Sequence, residues 1–339
     1  MLRDADRLLS RLRAIHAAIR DAVVADCERT DVDLLAAVVG SEGGDTIFAI
    51  DRVSEDALLR HFETLAREWP MLLVAEGLGA TGRRTLPRGA TPEIVVIVDP
   101  IDGTRGLMYQ KRPAWILTGV APYGRGGATL AGIELAVQTE IPLVKQHLCD
   151  SLWAANGRAV AGERLNRLTG TRGPLVACPS RAVTIEQGFG NLARFFPGPR
   201  ALLAEIDDAL IERVIGPVPP GRALAFEDQY ISTGGQLYEL MMGHDRWCAD
   251  LRPLVWAQRG TRGLCCHPYD LCTELIARSA GVTVTDAAGR PVDAPLDVET
   301  DIAWIGYANG AIRDQVEPNL RALLQERGLV TSPPRPASP

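Results

Sequence analysis

The chain has 339 residues, 46% of them hydrophobic and 23% charged, with a formal net charge of −6. That length can bury a substantial core in one large domain or two, and the acidic balance argues against nucleic acid or an anionic membrane as a partner, since neither is drawn to net negative charge. Seven cysteines without regular spacing, and a charge-rich stretch from Met1 to Arg20 in place of an apolar signal segment, lead us to expect a cytoplasmic protein with reduced thiols.

Leu8, Leu9, Leu12, Ile15, Ala18 and Ile19 recur at helical spacing and predict a long amphipathic helix that reaches toward Val38 and is ended by Gly40 and Gly43-Gly44. A second helix is predicted over Asp51 to Glu68, with Leu58, Leu59, Phe62, Leu65 and Ala66 on its apolar face. Strands are expected at Met71 to Ala75, Ile94 to Val98, Ile116 to Ala121, Leu130 to Val137 and Leu152 to Ala155. Gly- and Pro-rich joints fall near Gly124-Arg125-Gly126-Gly127 and over Thr169 to Pro174. The second joint is expected to divide an N-terminal α+β subdomain, 1–172, from a C-terminal α/β subdomain, 173–328. Beyond it, Leu175 to Cys178, Val282 to Thr285 and Ile302 to Tyr307 read as strands alternating with helical stretches. One of those helices is opened by Ser232-Thr233-Gly234-Gly235 and carried on by Leu237, Leu240 and Met241. Residues 329–339, with the Pro- and Ser-rich run Ser332 to Pro339, read as a disordered tail. No internal repeat or transmembrane span is evident.

After Glu93-Ile94-Val95-Val96-Ile97-Val98 the chain reads Asp99-Pro100-Ile101-Asp102-Gly103-Thr104. A buried strand that ends in two closely spaced carboxylates places hard oxygen donors at a sheet edge, where Mg²⁺ can sit with several waters and a substrate phosphate. A helical turn opening at Gly103 and Thr104 would add outward N–H groups as a phosphate seat. The structural alternative is that Asp99 and Asp102 cap a turn that Pro100 and Gly103 shape. Hydrolysing a phosphate monoester requires charge neutralised on the phosphoryl oxygens, a nucleophilic water and help for the departing alkoxide. Clustered carboxylates holding two or three Mg²⁺ about 3.5–4 Å apart supply all three.

Four stations in chain order resemble those of the inositol monophosphatase family, within the superfamily that also holds fructose-1,6-bisphosphatases and 3′-phosphonucleotide phosphatases. Asp45-Thr46-Ile47-Phe48-Ala49-Ile50-Asp51 resembles the first, and Ala75-Glu76-Gly77 after Leu72-Leu73-Val74 the second, with one Glu of the usual pair. Asp99 to Thr104 is the third. Tyr269-Asp270 followed by Ala280-Gly281-Val282-Thr283-Val284-Thr285 resembles the fourth, with Tyr in place of Trp. Their ordered co-occurrence is more specific than any one motif.

The resemblance implies a mixed α+β and α/β fold, a layered αβαβα sandwich of the inositol monophosphatase type. It implies a Mg²⁺-dependent phosphomonoesterase acting on a small phosphorylated metabolite (a sugar, cyclitol or nucleotide phosphate), with Mn²⁺ able to substitute, sensitivity to lithium, and a homodimer. The roles it implies place Glu76, Asp99 and the Ile101 carbonyl around a first metal and Asp99, Asp102 and Asp270 around a second, with Glu76 supporting a weaker third. Thr104, hydrogen-bonded to Asp51, would orient and help deprotonate the attacking water. Gly103, Thr104, Arg105, Thr233, Gly234 and Gly235 would line the phosphate and alcohol side.

Several departures bear on what is bound. Thr104-Arg105-Gly106-Leu107 replaces the usual Thr-Asn-Phe and puts a cation beside the phosphate seat. Arg105, Lys111 and Arg112 could form a second anion site or be solvated surface charges. Gly234 and Gly235 are expected to widen the wall facing the substrate alcohol, and the stretch from Trp247 to His267 reads as a long link. Asp51 and Asp270 each stand where a helix is predicted to begin, so either could be an N-cap. Cys265-Cys266, Cys272 and His267 cluster near Asp270, yet their spacing fits no structural zinc pattern and small core hydrophobes are the expected reading. An alternative function is a catalytically weak or inactive regulator that binds metal or phosphate on the same fold, with Gly77 in place of the second Glu.

Overall fold

The computed structural model describes residues 1–42, 45–48, 58–79, 81–124 and 126–331. Helix α1, Ala5–Arg29, buries Leu8, Leu12, Ile15, Ile19 and Val23 along one stripe. It stops well short of Val38. Thr30 and Asp31 both take extended conformations, with ψ of 133° and 148°, and only the four-residue α2, Val32–Leu35, follows. The backbone then turns into a hairpin of β1, Val38–Glu42, and β2, Asp45–Phe48, so Gly40 lies within a strand rather than at a helix end. β-Branched residues at 38 and 39 favour that extended pairing over continued helix. Asp51, Gly43-Gly44 and the run Ser332 to Pro339 lie outside the described residues. Residues 58–65 form helix α3, whose Leu58, Phe62 and Leu65 are buried as its spacing predicts.

The main sheet is built from β3 (Met71–Ala75), β4 (Arg83–Leu86), β5 (Ile94–Asp102), β6 (Ala114–Pro122), β7 (Leu135–Ile141), β8 (Leu148–Ala155), β9 (Ala161–Asn166) and β10 (Arg172–Leu175). Their order is β10-β9-β8-β7-β6-β5-β3-β4, with β3 and β5 parallel and the other neighbours antiparallel. The expected strand at Met71 to Ala75 coincides with β3. The one expected over Leu130 to Val137 starts late, because Leu130–Gly132 forms a 3₁₀ turn. The strands β4 and β9, rich in Arg and Glu and largely uncovered, lack the apolar alternation that marks a strand in sequence. Thr169 to Thr171 turns the hairpin between β9 and β10, so the 172/173 division point falls within β10, still bonded to the first sheet.

A second sheet contains β11 (Phe189–Leu192), β12 (Asp245–Asp250), β13 (Thr283–Thr285) and β14 (Trp304–Tyr307), in the order β11-β12-β14-β13. The stretch read as a link from Trp247 to His267 thus carries most of β12 and also helix α7, Arg252–Gln258, with Trp247 in the core. The remaining helices are α4 (Thr104–Met108), α5 (Arg200–Ile215), α6 (Thr233–Met241), α8 (Pro268–Leu271), α9 (Glu274–Ala280) and α10 (Gly310–Glu326).

Strand periodicity makes these pieces into five layers. Ile94, Val96 and Val98 of β5 face α1 and α3, whereas Val95 and Ile97 face α6 and α9. In the second sheet Cys248 and Trp304 join that middle helical layer, and Trp247, Ala249, Ile305 and Tyr307 pack against α5 and α10. The order is therefore helix, sheet, helix, sheet, helix, the αβαβα sandwich expected. One polar group is locked between the first two layers: His16 of α1 has Nε2 2.8 Å from Thr118 Oγ1 and Nδ1 3.1 Å from Thr139 Oγ1. Burial pushes its pKa down to about 3, so it is held neutral. No helix among the described residues is long and apolar enough to cross a membrane.

Candidate functional site

The site begins with an irregularity in β5. Residues three positions apart on a regular strand point to opposite faces, so an unbroken β5 would send Asp99 and Asp102 to different layers. The pairing with β6 runs Asp99 to Leu117 and then Asp102 to Trp115, which leaves one extra residue on β5. This bulge re-aims the second carboxylate. Pro100, which has no N–H to give the ladder, is suited to it. The Ile101 N–H donates to Asp99 Oδ1 at 3.0 Å, and Gly103 takes a φ of 98° that strains other residues before α4 starts at Thr104. The turn-capping alternative for Asp99 is thus also present, on one of its two oxygens.

Asp102 is tied across the molecule to the start of α6. Ser232 Oγ donates to its Oδ2 at 2.8 Å, Gly234 N to the same oxygen at 2.6 Å, and Thr233 N to Oδ1 at 3.2 Å. A carboxylate on the first N–H groups of a helix is favoured by both hydrogen bonding and the helix dipole. The close approach needs a glycine: a Cβ at Gly234 would lie 2.5 Å from Leu117 Cδ2 and 2.9 Å from Asp102 Oδ2. A Cβ at Gly235 would meet the Tyr230 ring at 2.4 Å. The expectation that these two glycines widen the substrate wall is therefore overturned. Both are buried behind Ser232 and Thr233, which do line the cavity, and their missing side chains admit Leu117 and Tyr230 instead.

Asp270 arrives from the third position of α8. Its Oδ2 accepts from His267 N at 2.6 Å in a capping box, so it does serve as a helix cap. The same side chain joins Asp99 and Asp102 in a cluster with one oxygen of each within 4.8 Å of the others. Asp99 and Asp102 are 9% and 6% exposed, and crowding has the expected effect on both. Burial, then the charges of Asp102, Asp270 and Glu76, push Asp99 far above the usual carboxylate range. Burial and Asp270 raise Asp102 to about 8, against the pull of its three donors. Three clustered hard oxygen donors, with Asp99 and Asp102 both pushed toward their neutral forms while no cation is bound, fit a divalent cation of the Mg²⁺ or Mn²⁺ kind.

A cavity of about 180 Å³ opens onto this cluster and takes in Glu76, Ile101, Gly103, Thr104 and Arg105 as well. Thr104 Oγ1 donates to the Ile101 carbonyl at 2.9 Å, while Asp51 lies outside the described residues. Arg105 spans the faces of Phe48 and Phe196, at 5.6 and 5.1 Å from the ring centroids. Arg112 does not join it: its guanidinium pairs with Asp228 and lies over Tyr230.

Part of the lining was missed by the sequence reading, namely Arg252, Phe195 and Phe196. Arg252, buried, lies over Phe195 at 4.5 Å and is gripped by Asp250, with Nε 2.8 Å from Oδ1. Phe195, Phe196, Arg252, Cys265, His267 and Ser232 all face the cavity. The only local hint was an Asp two residues before an Arg at a strand-to-helix junction, which is too common to single out.

No family model matches the chain, and no curated protein matches it. Solved structures do. The extragenic suppressor protein suhB from Bartonella henselae superposes with a TM-score of 0.62 at 15% identity, covering 93% of this chain and 98% of that one. A fructose-1,6-bisphosphatase from Leishmania major gives 0.69 at 12% identity, with 95% of each chain covered. The IMPase from Thermotoga maritima gives 0.60 at 16% identity, covering 95% of this chain and 99% of that one. At such identities the likeness is one of fold, and the chain has the fold of the inositol monophosphatase and fructose-1,6-bisphosphatase superfamily.

Proposed function

We propose that this protein is a metal-dependent phosphomonoesterase of the inositol monophosphatase type, acting on a small phosphorylated metabolite. One observation carries the reading: a strand bulge and a distant helix cap converge Asp99, Asp102 and Asp270 on a cavity that also holds Thr104 and a cation, Arg105. Glu76, Asp99 and the Ile101 carbonyl would hold one Mg²⁺, and Asp99, Asp102 and Asp270 a second. Bound there, the cations would neutralise the phosphoryl oxygens and make a water acidic enough to attack.

The chain's own groups do the rest. Asp102, fixed by the α6 N–H groups, keeps its position when its proton leaves. The Thr104 hydroxyl, which donates to the Ile101 carbonyl in the cation-free protein, would accept a hydrogen bond from the attacking water and set its direction, and on the family resemblance it would then turn its proton to Asp51 as base. Arg105, steadied by two aromatic rings, offers its guanidinium to an anionic group of the ester. Phe195 and Phe196 would help to shield the cavity from bulk water.

The test is phosphate release from a panel of sugar, cyclitol and nucleotide monophosphates and bisphosphates, with Mg²⁺ and after thorough chelation. Metal-dependent turnover of at least one ester is expected. Turnover that survives chelation would refute the metal mechanism, and Mg²⁺ binding without turnover of any ester would favour the regulator instead.

A further inference from the structure

Beside the all-oxygen cluster stands a second group of different chemistry. Cys265 Sγ, a ring nitrogen of His267 and a carboxylate oxygen of Asp301 lie within 4.8 Å of one another. We propose that these three residues form a separate site for a borderline divalent cation such as Zn²⁺, with the fourth position open to the cavity.

The geometry is close to what such an ion needs. His267 Nε2 is 3.4 Å from Asp301 Oδ1. Two donors each about 2.0–2.1 Å from an ion, at the tetrahedral angle, stand roughly that far apart. The Cys265 thiol faces the same Asp301 carboxylate. The backbone already ties the two contributing segments together, because Ile302 N donates to Cys266 O at 2.8 Å and the two residues form a bridge between them. The donors are thus carried on a preformed clamp.

The imidazole is also supported from behind. Its Nδ1 is 3.4 Å from the Tyr269 hydroxyl and 3.8 Å from Asp270 Oδ2, and the ring stacks on Tyr269 at 5.4 Å with an interplanar angle of 8°. A ligating histidine whose other nitrogen faces a carboxylate or hydroxyl is the usual arrangement in metal sites, since that partner fixes the tautomer and ring orientation. Access is open on both sides: Cys265 and His267 face the cavity, and the Asp301 side chain is 37% exposed.

The donor set separates this site from its neighbour. Sulfur and imidazole select Zn²⁺ or Co²⁺, whereas Mg²⁺ prefers the carboxylates of Asp99, Asp102 and Asp270. Loading Zn²⁺ would form the Zn–S bond at Cys265 and release the thiol proton to solvent, together with the Nε2 proton of any His267 that is imidazolium, leaving imidazole neutral and Asp301 ionised. Without an ion, His267 would pair with Asp301 and the Cys265 thiol would face the same carboxylate, and the cobalt titration distinguishes that arrangement from a metal site.

The experiment uses the full chain, stripped of metal and titrated with Co²⁺. A thiolate-to-cobalt charge-transfer band should appear in the near ultraviolet, be removed stoichiometrically by Zn²⁺, and resist excess Mg²⁺. Cys265→Ser should abolish the band, while Cys178→Ser, at the exposed cysteine, should leave it. Asp301→Asn, at an exposed side chain, should weaken Zn²⁺ binding at least about tenfold. Absence of the band from the wild-type protein, its survival in Cys265→Ser, or its loss in Cys178→Ser would overturn the proposal. If Cys265→Ser fails to fold, an unchanged Zn²⁺ affinity in Asp301→Asn would overturn it equally. Because each readout is binding, none depends on the phosphatase reading.

Discussion

Replacing Asp102 by Asn separates its two tasks, holding the start of α6 and holding a cation. In the cation-free protein, burial and the charge of Asp270 push the Asp102 carboxyl up to about 8, toward its neutral form, so an amide is a near-isosteric neutral substitute. The amide keeps one acceptor oxygen for Ser232 Oγ and Gly234 N and gives up the weaker bond from Thr233 N. The expected cost without divalent cation is about 1–3 kcal/mol, because the amide nitrogen would face the Thr233 N–H donor to donor. With Mg²⁺ at a hundred times its Kd, the wild-type protein should gain about 2.7 kcal/mol. At roughly 2.1 cal/mol/K of unfolding entropy per residue, a chain of 339 residues has about 0.7 kcal/mol/K, so this gain is worth about 4 °C in Tm. Asp102→Asn should show less than half of that rise. Differential scanning calorimetry of both proteins, with chelator and with Mg²⁺, reads the two effects separately. An equal Mg²⁺-induced rise in both proteins would refute Asp102 as a ligand. A loss above about 3 kcal/mol in chelator would refute the argument that the group is already neutral there.

Thr104→Ala should leave Mg²⁺ affinity unchanged by calorimetry and lower kcat by at least about a hundredfold, since it removes only the hydroxyl that positions the attacking water; full kcat would remove Thr104 from the mechanism. Gly234→Ala should cost about 1–3 kcal/mol in chemical denaturation, because its Cβ would meet Leu117 Cδ2 at 2.5 Å in a packed interior. A neutral result would mean that α6 can retreat from β6 without penalty. His16, whose pKa falls from 6.5 to about 3 on burial, takes up a proton only in the unfolded chain between those values. Its contribution to stability is complete above pH 6.5 and is lost as pH falls through that window. His16→Gln should flatten the stability–pH slope there by about 1.4 kcal/mol per pH unit, measured by urea denaturation.

The amino-acid sequence by itself determined the elements whose signals are local. Met71 to Ala75, the apolar run before Asp99 and the Ser232-capped helix are legible because strand alternation, helical spacing and a cap are written within a dozen residues. Asp99, Asp102 and Thr104 could be singled out for the same reason: they share one hexapeptide at the end of a buried strand. Tertiary structure decided what depends on residues far apart in the chain. Only the pairing with β6 introduces the bulge that puts Asp99 and Asp102 on one side, and only the packing of α8 beneath them adds Asp270. The role of Gly234 reversed for this reason: a glycine signals a missing Cβ, but whether that space faces ligand or a neighbour such as Leu117 is set by what packs against it. The wall of Arg252, Phe195 and Phe196, and the approach of Asp301 to Cys265 and His267, likewise leave no trace in spacing. A sequence fixes which chemistry each residue has, whereas distance between residues remote along the chain exists only once the layers have closed.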